Sequence, residues 1–443
     1  MSLLDVYVCD TLVGTVVPEA DGAYVFSYLP DTPEDLFVSL TMPVRAQSYV
    51  WKRGLHPFFL MNLPEGYKKD LLREKLGPQT EVTDSNLLAL TGQRTIGRVR
   101  VTPHGTSLVA AADHIQLAEI LASPSSRDLL LRSMAAGVAE GISGVMPKLL
   151  HDASPLATNK KVTSVTEHYI LKTGPNDLPG LSINEYLCLA VAREAKLAVP
   201  MARLSEDGAV LAIERFDRQA DGAFIALEDC CSLKGLDPAS KYSGSLENIA
   251  DYLQRYVPLP AQREAARKLW TLLLVNYALG NADAHLKNFA FTYTGRNDVM
   301  LAPAYDIVTV LAYAKWKDDL PGLTLYGKKQ WAPGKFLQQL GSSRLNLTSS
   351  DLTELRGNVV TAIRRVAPSI RTYAERFPEF REIGKRMLDV WDQGLACIEP
   401  SANGKTRPQA SPREQSGFSA DLPAAKAANP YIDPDGAFSH KAR

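Results

Sequence analysis

The stretch NYALGNADAHLKNFAFTYTGRNDVMLAPAYD, residues 276–306, decides how the rest of this chain is interpreted. The apolar run just before and into it, residues 269–279, predicts a buried helix that ends near Gly280. Strand-like residues 289–293 and 299–302 flank a turn and predict a hairpin. Ionisable and amide side chains fill the interval between the helix and the hairpin. Such groups are costly to bury without partners, so this interval is a candidate working loop.

Three side chains in this stretch have the spacing that phosphoryl transfer uses. Protein kinases carry the catalytic base and one metal ligand in a D-x-x-x-x-N motif, and a later aspartate supplies a second ligand. Asp283 and Asn288 have that spacing, and Asp306 follows after the hairpin. Carboxylate and carboxamide oxygens are hard ligands of the kind that Mg²⁺ prefers. The stretch therefore predicts half of a kinase active site.

The other parts of a kinase occur upstream in the expected order. Residues 141–144 (GISG) predict a small-residue turn whose backbone amides can approach a phosphate. Lys172 ends a predicted strand, a place where most lysines are simply solvated. Glu185 opens a helix, either as half of a capping box with Ser182 or as the partner of Lys172. A buried strand then runs into the charged residues 214–218, which is where a two-lobed enzyme would place its hinge.

Composition and charge narrow the class of protein. The 443 residues include 49 basic and 49 acidic side chains, and this balance argues against a strong grip on nucleic acid by the chain alone. The five cysteines show no C-x-x-C spacing, so neither a disulfide framework nor a zinc site is predicted. The chain begins without a signal-peptide pattern, and its longest apolar run is too short to span a bilayer. We expect a soluble cytoplasmic protein.

Changes of pattern along the chain predict four segments. Residues 1–105 carry short β-branched and aromatic runs separated by turns, and they predict a β-rich accessory subdomain with nothing catalytic in it. Residues 106–215 form the predicted N-lobe with the glycine-rich turn, and residues 216–398 form the helical C-lobe with the catalytic loop. Residues 399–443 interleave proline with polar residues and predict a mobile tail.

Finer expectations concern the segments around the predicted site. A helix is predicted over residues 126–138, directly before the glycine-rich turn. Residues 219–245 predict a loop region. Two separate helices are predicted over residues 351–366 and 370–377, and the segment 313–341 is expected to be rich in loops.

Four motifs occur together in this chain: ISGVMPK (142–148), ERFDR (214–218), GNADAHLKNF (280–289) and APAYD (302–306). Together they resemble the HipA toxin serine/threonine kinases of bacterial toxin–antitoxin modules. The resemblance spans nearly the whole chain, including NLPEG at 62–66, and stops before the tail. It implies an α+β, bilobed protein-kinase-like fold with a β-rich N-terminal part and a mostly α-helical C-terminal lobe.

The resemblance also implies a role for each matching residue. Asp283 would be the catalytic base, and Asn288 and Asp306 would hold Mg²⁺. Ser143 would be the site of autophosphorylation, because the commoner serine position corresponds to Gly141 here. The residues that would bind ATP are Ser143, Gly144, Val145, Met146, Pro147, Lys148, Lys172, Glu214, Arg215, Phe216, His285, Leu286, Lys287, Asn288, Tyr305 and Asp306.

The implied activity is transfer of the ATP γ-phosphate to a protein, with ATP and Mg²⁺ as cofactors. The implied target is an aminoacyl-tRNA synthetase such as glutamyl-tRNA synthetase, whose phosphorylation would inhibit translation and growth. The implied partner is a small HipB-like helix-turn-helix antitoxin. Operator DNA would be contacted only through that partner, and no membrane is involved.

Several alternatives stay open at this point. The chain could be a catalytically idle kinase fold that serves as a corepressor or scaffold for the antitoxin. Asp283, His285 and Asp306 could instead be ligands of a metal-dependent hydrolase. His285 could hold its loop by hydrogen bonding rather than contact ATP, and Lys287 could be a charge partner of Asp283.

Overall fold

The computed structural model describes the chain except for residues 1–2, 77–81, 109–115, 146–160, 220, 333 and 399–443. Three of the implied ATP contacts, Met146, Pro147 and Lys148, lie outside the described residues. The predicted tail lies outside them as well.

The described strands and helices alternate irregularly along the chain. The strands are β1 (Leu4–Val8), β2 (Thr11–Pro18), β3 (Tyr24–Tyr28), β4 (Tyr49–Trp51), β5 (Val99–Pro103), β6 (Val162–Val165), β7 (Tyr169–Thr173), β8 (Ala202–Leu204), β9 (Val210–Glu214), β10 (Ala226–Asp229), β11 (Ala290–Tyr293) and β12 (Met300–Leu301). The helices are α1 (Pro57–Leu60), α2 (Gly66–Leu76), α3 (Asp84–Thr91), α4 (Leu117–Ala122), α5 (Ser126–Val145), α6 (Leu181–Glu194), α7 (Cys230–Leu233), α8 (Leu246–Tyr256), α9 (Leu259–Ala278), α10 (Gly334–Gln339), α11 (Ser349–Arg376) and α12 (Arg381–Ile398).

The N-terminal part is built on an antiparallel sheet of order β4-β3-β2-β1-β5. Strand β1, between β2 and β5, places Leu4, Val6 and Val8 on one buried face, as the two-residue period of a strand requires. Their apolar side chains form a small separate core with residues of β2, β3 and β5. The predicted β-rich opening is confirmed.

A second antiparallel sheet, of order β6-β7-β9-β8, leads into the helical part. On β7 the side chains of Leu171 and Thr173 are buried on one face, so the side chain of Lys172 between them points to the other. That alternation directs the Lys172 amine away from the core beneath the sheet. It is the first step in building the site.

The C-terminal part has one large apolar core around helix α9, whose residues from Leu269 to Ala278 are all buried. Helices α11 and α12 pack around it, together with α6. A third sheet, β10-β11-β12, lies beside the loop that follows α9. The described helices include none that is long and apolar enough to cross a membrane.

The loop region expected over residues 219–245 is partly wrong. Residues Ala226–Asp229 form strand β10 and pair antiparallel with β11 of the predicted hairpin, and α7 follows directly. The two strands that pair lie about sixty residues apart in the sequence, so no local pattern around residues 226–229 predicts the pairing. The hairpin itself, β11 and β12, is confirmed.

Helix α11 is also longer than expected, because it runs unbroken through Pro368. A proline inside a helix removes one backbone hydrogen bond and costs about 3 kcal/mol. Val366 and Ile370 on either side are buried in the main core, and their packing offsets that cost. The expectation of two separate helices is wrong for this reason.

Helix α5 continues to Val145, through the segment expected to form the glycine-rich turn. Ala135, Ala136 and Ala139 favour the continuation, and each interior glycine costs only about 1 kcal/mol relative to alanine. The expected end of the helix at residue 138 is therefore wrong, as is the turn over residues 141–144. Ser143, Gly144 and Val145 belong to the last turns of α5.

A buried carboxyl joins the first sheet's subdomain to the helical part. Glu228 on β10 is 0% exposed and accepts hydrogen bonds from the Ser39 hydroxyl (2.6 Å), the Leu40 amide (2.9 Å) and the Tyr293 hydroxyl (3.1 Å). Burial raises the pKa of Glu228 to about 7, although these donors favour the ionised form. Ser39 and Leu40 belong to the N-terminal part, so the contact spans the two.

Two helical glycines predict opposite effects on stability when each is changed to alanine. A Cβ on Gly394 of α12 would lie 1.9 Å from the Ala278 carbonyl oxygen, whereas nothing lies within 4 Å of one on Gly357 of α11. We expect Gly394→Ala to lower the free energy of unfolding by about 2–3 kcal/mol, because backbone must move. Gly357→Ala should raise it by about 0.5–1 kcal/mol. Urea denaturation measures both, and equal effects would contradict the close approach of α12 to α9.

Candidate functional site

The loop after α9 is held by its own amide side chains. Gly280 ends the helix with a φ of +64°, a conformation that glycine adopts without strain. Asn281 Nδ2 donates to Asn276 Oδ1 (2.7 Å), and the Asp283 amide donates to Asn281 Oδ1 (3.3 Å). These bonds fix where Asp283 emerges from the end of the helix.

Asp283 is buried, with 5% of its surface exposed, and its carboxyl has two ring neighbours. The Tyr242 hydroxyl donates to Oδ1, and His285 Nε2 lies 3.5 Å from Oδ2. Burial raises the pKa of Asp283 to about 8, although the positive charge of Lys241 and the Tyr242 hydroxyl both oppose the rise. A carboxyl with a pKa in this range can both lose and accept a proton near neutral pH.

Asn288 ties the loop to Asp306. Its Oδ1 accepts from the His285 amide (3.0 Å), and its Nδ2 donates to Asp306 Oδ2 (3.0 Å). Burial, followed by the nearby charge of Lys241, lowers the pKa of His285 well below its ordinary value, so the ring is neutral. His285 Nδ1 is buried and has no hydrogen-bond partner in the described chain. Both expected roles of this histidine, loop support and ligand contact, are compatible with that geometry.

The carboxylate of Asp306 forms ion pairs with two lysine side chains. Lys172 Nζ lies 2.7 Å and Lys161 Nζ 3.0 Å from its Oδ1. Burial alone would raise the pKa of Asp306, but the two lysines hold it well below its ordinary value, so the carboxylate is ionised. Its backbone has a φ of +57°, which is uncommon for a residue other than glycine and is a feature of functional sites.

Lys172 also pairs with Glu185, whose Oε1 lies 2.5 Å from Nζ. Burial opposes a charged lysine here, but Asp306 and then Glu185 raise the pKa of Lys172 above its ordinary value. Gly180 is the residue that precedes helix α6, and Ser182 donates to the Ala209 carbonyl. The capping-box alternative for Glu185 is therefore wrong, and its pairing with Lys172 is confirmed.

Of the three hinge residues expected to contact ATP, one lines the pocket and one makes hydrogen bonds within the protein. Phe216 lines the pocket and faces the ring of Tyr305, with centroids 5.8 Å apart. Arg215 is buried and donates to both oxygens of Asp217 and to the Thr95 carbonyl (3.2 Å). Arg215 thus joins the N-terminal sheet's subdomain to the hinge, and Glu214 is exposed beside it.

A pocket of about 300 Å³ gathers most of these groups. Of the residues expected to contact ATP, those that line it are Lys172, Phe216, His285, Lys287, Asn288, Tyr305 and Asp306. Glu214, Arg215 and Leu286 do not line it, and Leu286 is instead buried against Gly244. Asp283 lies behind the lining, beside His285.

One wall of the pocket comes from the N-terminal part, which was expected to take no part in the site. The segment from Met61 to Glu65 and the side chain of Lys68 line the pocket. Glu65 forms an ion pair with Lys287 of the catalytic loop, so Glu65 is the charge partner of Lys287 in place of Asp283. The Tyr305 hydroxyl donates to the Lys287 carbonyl (2.7 Å) and closes the same corner.

Sequence reasoning missed three side chains of this site: Lys161, Lys241 and Tyr242. Lys161 precedes β6, and its Nζ donates to Asp306 Oδ1. The two residues are 145 positions apart in the sequence. Lys241 and Tyr242 come from the segment after α7, and the Leu286 amide donates to the Lys241 carbonyl (3.1 Å). Their adjacency in an otherwise small-residue loop was the only signal in the sequence.

The chemistry of the donor set fits a divalent cation. Asp306 is held ionised, and Asn288 Nδ2 lies against it while Asn288 Oδ1 accepts from the His285 amide. One ion would therefore bind oxygens of both side chains after the Asn288 carboxamide turns its oxygen towards Asp306. In the described part of the chain no three His, Cys, Asp or Glu side chains are grouped as a metal centre. The metal-dependent hydrolase alternative, which needs Asp283, His285 and Asp306 together, receives no support from this arrangement.

Two family models match the chain. The model of the HipA N-terminal domain matches residues 4–102, and that of the HipA-like C-terminal domain matches residues 141–368, just over half of the chain. The first covers the β-rich opening with its antiparallel sheet. The second begins in α5 and includes both β7 and the loop after α9.

Similar proteins are named as kinases. A putative kinase of Sinorhizobium fredii is 28% identical over 336 residues, which cover 70% of this chain and 78% of the relative. The serine/threonine-protein kinase toxin HipA of Shewanella oneidensis is 25% identical over 396 residues, or 82% of this chain and 89% of the relative.

A solved complex of HipA, HipB and operator DNA from Shewanella oneidensis contains a chain of the same fold. The match has a TM-score of 0.62 at 18% identity and covers 89% of this chain and 96% of that one. The expected α+β, kinase-like fold is confirmed.

Proposed function

This chain belongs to the HipA family, and on that basis we propose that it is an ATP- and Mg²⁺-dependent serine/threonine protein kinase. The observation that carries the proposal is the double pairing of Lys172 with Glu185 and Asp306 at the rim of a pocket. Kinases need this lysine–glutamate pair and a metal-binding aspartate in place at the same time. Asn288 and Asp283 complete the set on the adjoining loop.

In the proposed reaction Asp283 accepts the proton of the acceptor hydroxyl as that oxygen bonds to the γ-phosphorus of ATP, and the bond to the β-phosphate oxygen breaks to release ADP. Tyr242 orients the carboxyl, and the neighbouring charge of Lys241 favours its ionised form. Lys172 binds the phosphates, and Phe216 with Tyr305 provides apolar ring surface for the base. Mg²⁺, held by Asn288 and Asp306, would neutralise the phosphate charge. The Met61–Glu65 segment lines one wall of this region.

We propose Ser143 as the autophosphorylation site within the ATP-binding segment from Ser143 to Lys148. A phosphate of about −1.5 to −2 charge on this segment would repel the phosphates of ATP. Ser143 itself lies in the last turns of α5. Mass spectrometry after incubation with ATP would test the site, and phosphate on other residues with an unmodified Ser143 would contradict it.

Similarity to the same family supports a proposal about the biological role. The Shewanella oneidensis relative is named as a toxin, and the solved complex contains HipB and operator DNA. We propose that this chain likewise acts as a toxin, inhibiting translation and growth, and binds a HipB-like helix-turn-helix antitoxin. The chain carries equal numbers of basic and acidic side chains and so lacks the excess positive charge that binds DNA directly. We therefore propose that it contacts operator DNA through that partner. The proposed substrate is an aminoacyl-tRNA synthetase, with glutamyl-tRNA synthetase as the first choice.

The direct test is incubation of the purified chain with γ-labelled ATP and a panel of purified aminoacyl-tRNA synthetases, with and without Mg²⁺. Label should pass to one synthetase, and to the chain itself, only when Mg²⁺ is present. Label on the chain but on no synthetase would keep the kinase and remove the proposed target. No transfer to any protein would favour the idle corepressor instead.

The Tyr242→Phe variant tests how Asp283 is tuned. Loss of the hydroxyl removes a donor to the ionised carboxylate, so the pKa of Asp283 rises. The acidic limb of the pH–rate profile should move to higher pH by about one unit, the size of a charge-assisted hydrogen bond. Tyr252→Phe on α8 is the matched control and should leave the profile unchanged. An unshifted limb in Tyr242→Phe would contradict the assignment.

A further inference from the structure

A second cleft, of about 540 Å³, lies where the N-terminal part meets the helical part. Three arginines from three separate elements line it: Arg45 from the loop before β4, Arg255 from the last turn of α8, and Arg296 from the turn between β11 and β12. The other lining residues are uncharged, and no acidic side chain is among them. None of these residues lines the pocket of the proposed kinase site.

The positive charge of this cleft is not neutralised within the described part of the chain. Arg255 and Arg296 form neither an ion pair nor a hydrogen bond there, and each guanidinium instead lies over an aromatic ring. Arg45 donates only to the carbonyls of Gln47 and Ser48. The three exposed guanidinium groups border one cavity without an acidic partner among the described residues, so an anion bound there could accept charge-assisted hydrogen bonds from them.

The geometry favours a compact anion over a nucleic-acid strand. Single-stranded nucleic acid needs exposed ring faces on which bases stack. Here the ring of Tyr49 already carries the Arg45 guanidinium 3.7 Å from its centroid and stacks on Phe26. Tyr256 is likewise covered by Arg255 and packs against Tyr252. The arginines border one cavity, whereas a strand would need a track of charge.

We propose that this cleft binds a phosphomonoester, namely a phosphorylated serine or threonine side chain of a protein. Arginine forks match the geometry of a phosphate dianion, and Arg45 also donates to the carbonyls of Gln47 and Ser48 in its own loop. The apolar wall formed by Leu40, Pro43 and Val299 offers contact to the aliphatic part of a peptide. The inference does not depend on the proposed kinase activity, since it concerns a different surface.

The test is isothermal titration calorimetry of the full chain with a short phosphoserine peptide, its unphosphorylated form and inorganic phosphate. The nucleotide pocket is kept out of the measurement by using the Lys172→Met/Glu185→Leu variant as the reference protein, because this pair of changes removes nucleotide binding and leaves no buried charge of the pair uncompensated. In that background Arg255→Gln and Arg296→Gln should each weaken binding of the phosphopeptide by about tenfold or more, as loss of a charge-assisted bond implies. Arg344→Gln, which removes an exposed arginine paired with Asp251, is the matched control and should leave the affinity unchanged.

Each result of the titration decides the proposal. Binding of the phosphopeptide that is lost in both cleft variants and kept in Arg344→Gln supports it. Equal affinity of the phosphorylated and unphosphorylated peptides, or binding that survives both substitutions, overturns it. Tighter binding of inorganic phosphate than of the phosphopeptide assigns the cleft to the free ion and overturns the phosphoprotein ligand. A single-stranded oligonucleotide that binds more tightly than the peptide, and loses affinity in the same variants, overturns it in favour of nucleic acid.

Discussion

Asp283→Asn is expected to reduce phosphoryl transfer by roughly a thousandfold and to abolish growth arrest on induction, while the chain stays folded. Asparagine has nearly the same shape and keeps an oxygen that can accept from the Tyr242 hydroxyl. It cannot accept the proton of the acceptor hydroxyl, so the loss is chemical. Transfer of labelled phosphate, measured beside the unchanged protein, gives the size of the effect.

The same variant makes a prediction about stability, with a definite sign. Burial raises the pKa of Asp283 from 3.8 to about 8, so between these values the folded chain binds more protons than the unfolded one. The contribution of Asp283 to the free energy of unfolding is therefore full below pH 4 and is lost as pH rises towards 8. Asp283→Asn cannot ionise, so its stability relative to wild type should improve from pH 5 to pH 8.5. Equal growth arrest by the variant and wild type would defeat the kinase proposal, and a pH-independent difference in stability would contradict the buried carboxyl.

Lys172→Met is expected to lower the free energy of unfolding by about 3 kcal/mol and to abolish nucleotide binding. Removing the amine leaves Glu185, which is 1% exposed, without the cation that compensates its buried charge. Lys161→Met is the matched control, because it also takes a cation from Asp306 but leaves Glu185 paired. Urea denaturation should show the larger loss for Lys172→Met.

A second substitution separates the structural role of Lys172 from its functional one. In Lys172→Met/Glu185→Leu no buried charge is left uncompensated, and apolar replacement of a buried ion pair is often neutral or stabilising. The double variant should therefore recover most of the stability lost in Lys172→Met, yet still fail to bind nucleotide. If the second change brings no recovery, the loss does not arise from the stranded charge of Glu185.

The parts of the site that are close in sequence could be predicted from it. The D-x-x-x-x-N spacing predicted that Asp283 and Asn288 lie on one loop, because the four residues between them have room for only one short turn. The order of the upstream parts identified Lys172 and left Glu185 with two possible partners. Only the sheet could decide between them, because it is the two-residue alternation of β7 that turns the lysine towards α6.

The parts that could not be predicted depend on contacts between distant segments. Lys161 and Tyr242 carry no motif of their own and acquire a role only when β6 and the segment after α7 are packed. Arg215 was expected to contact ATP, but its guanidinium donates hydrogen bonds to Asp217 and to the Thr95 carbonyl. Thr95 belongs to the N-terminal part, which the local pattern around Arg215 does not reveal. A local pattern shows which groups are available and does not show which of them will be engaged elsewhere.

The buried carboxyl of Glu228 affects the cooperativity of thermal unfolding. Its donors Ser39 and Leu40 lie on one side of the junction and Tyr293 on the other. Pulling the first sheet away would strip this carboxyl of two donors while it is still enclosed by the helical part, a state of high free energy. The two parts therefore share one cooperative transition, and a calorimetric scan should show a single heat-absorption peak although the chain has several separate apolar cores.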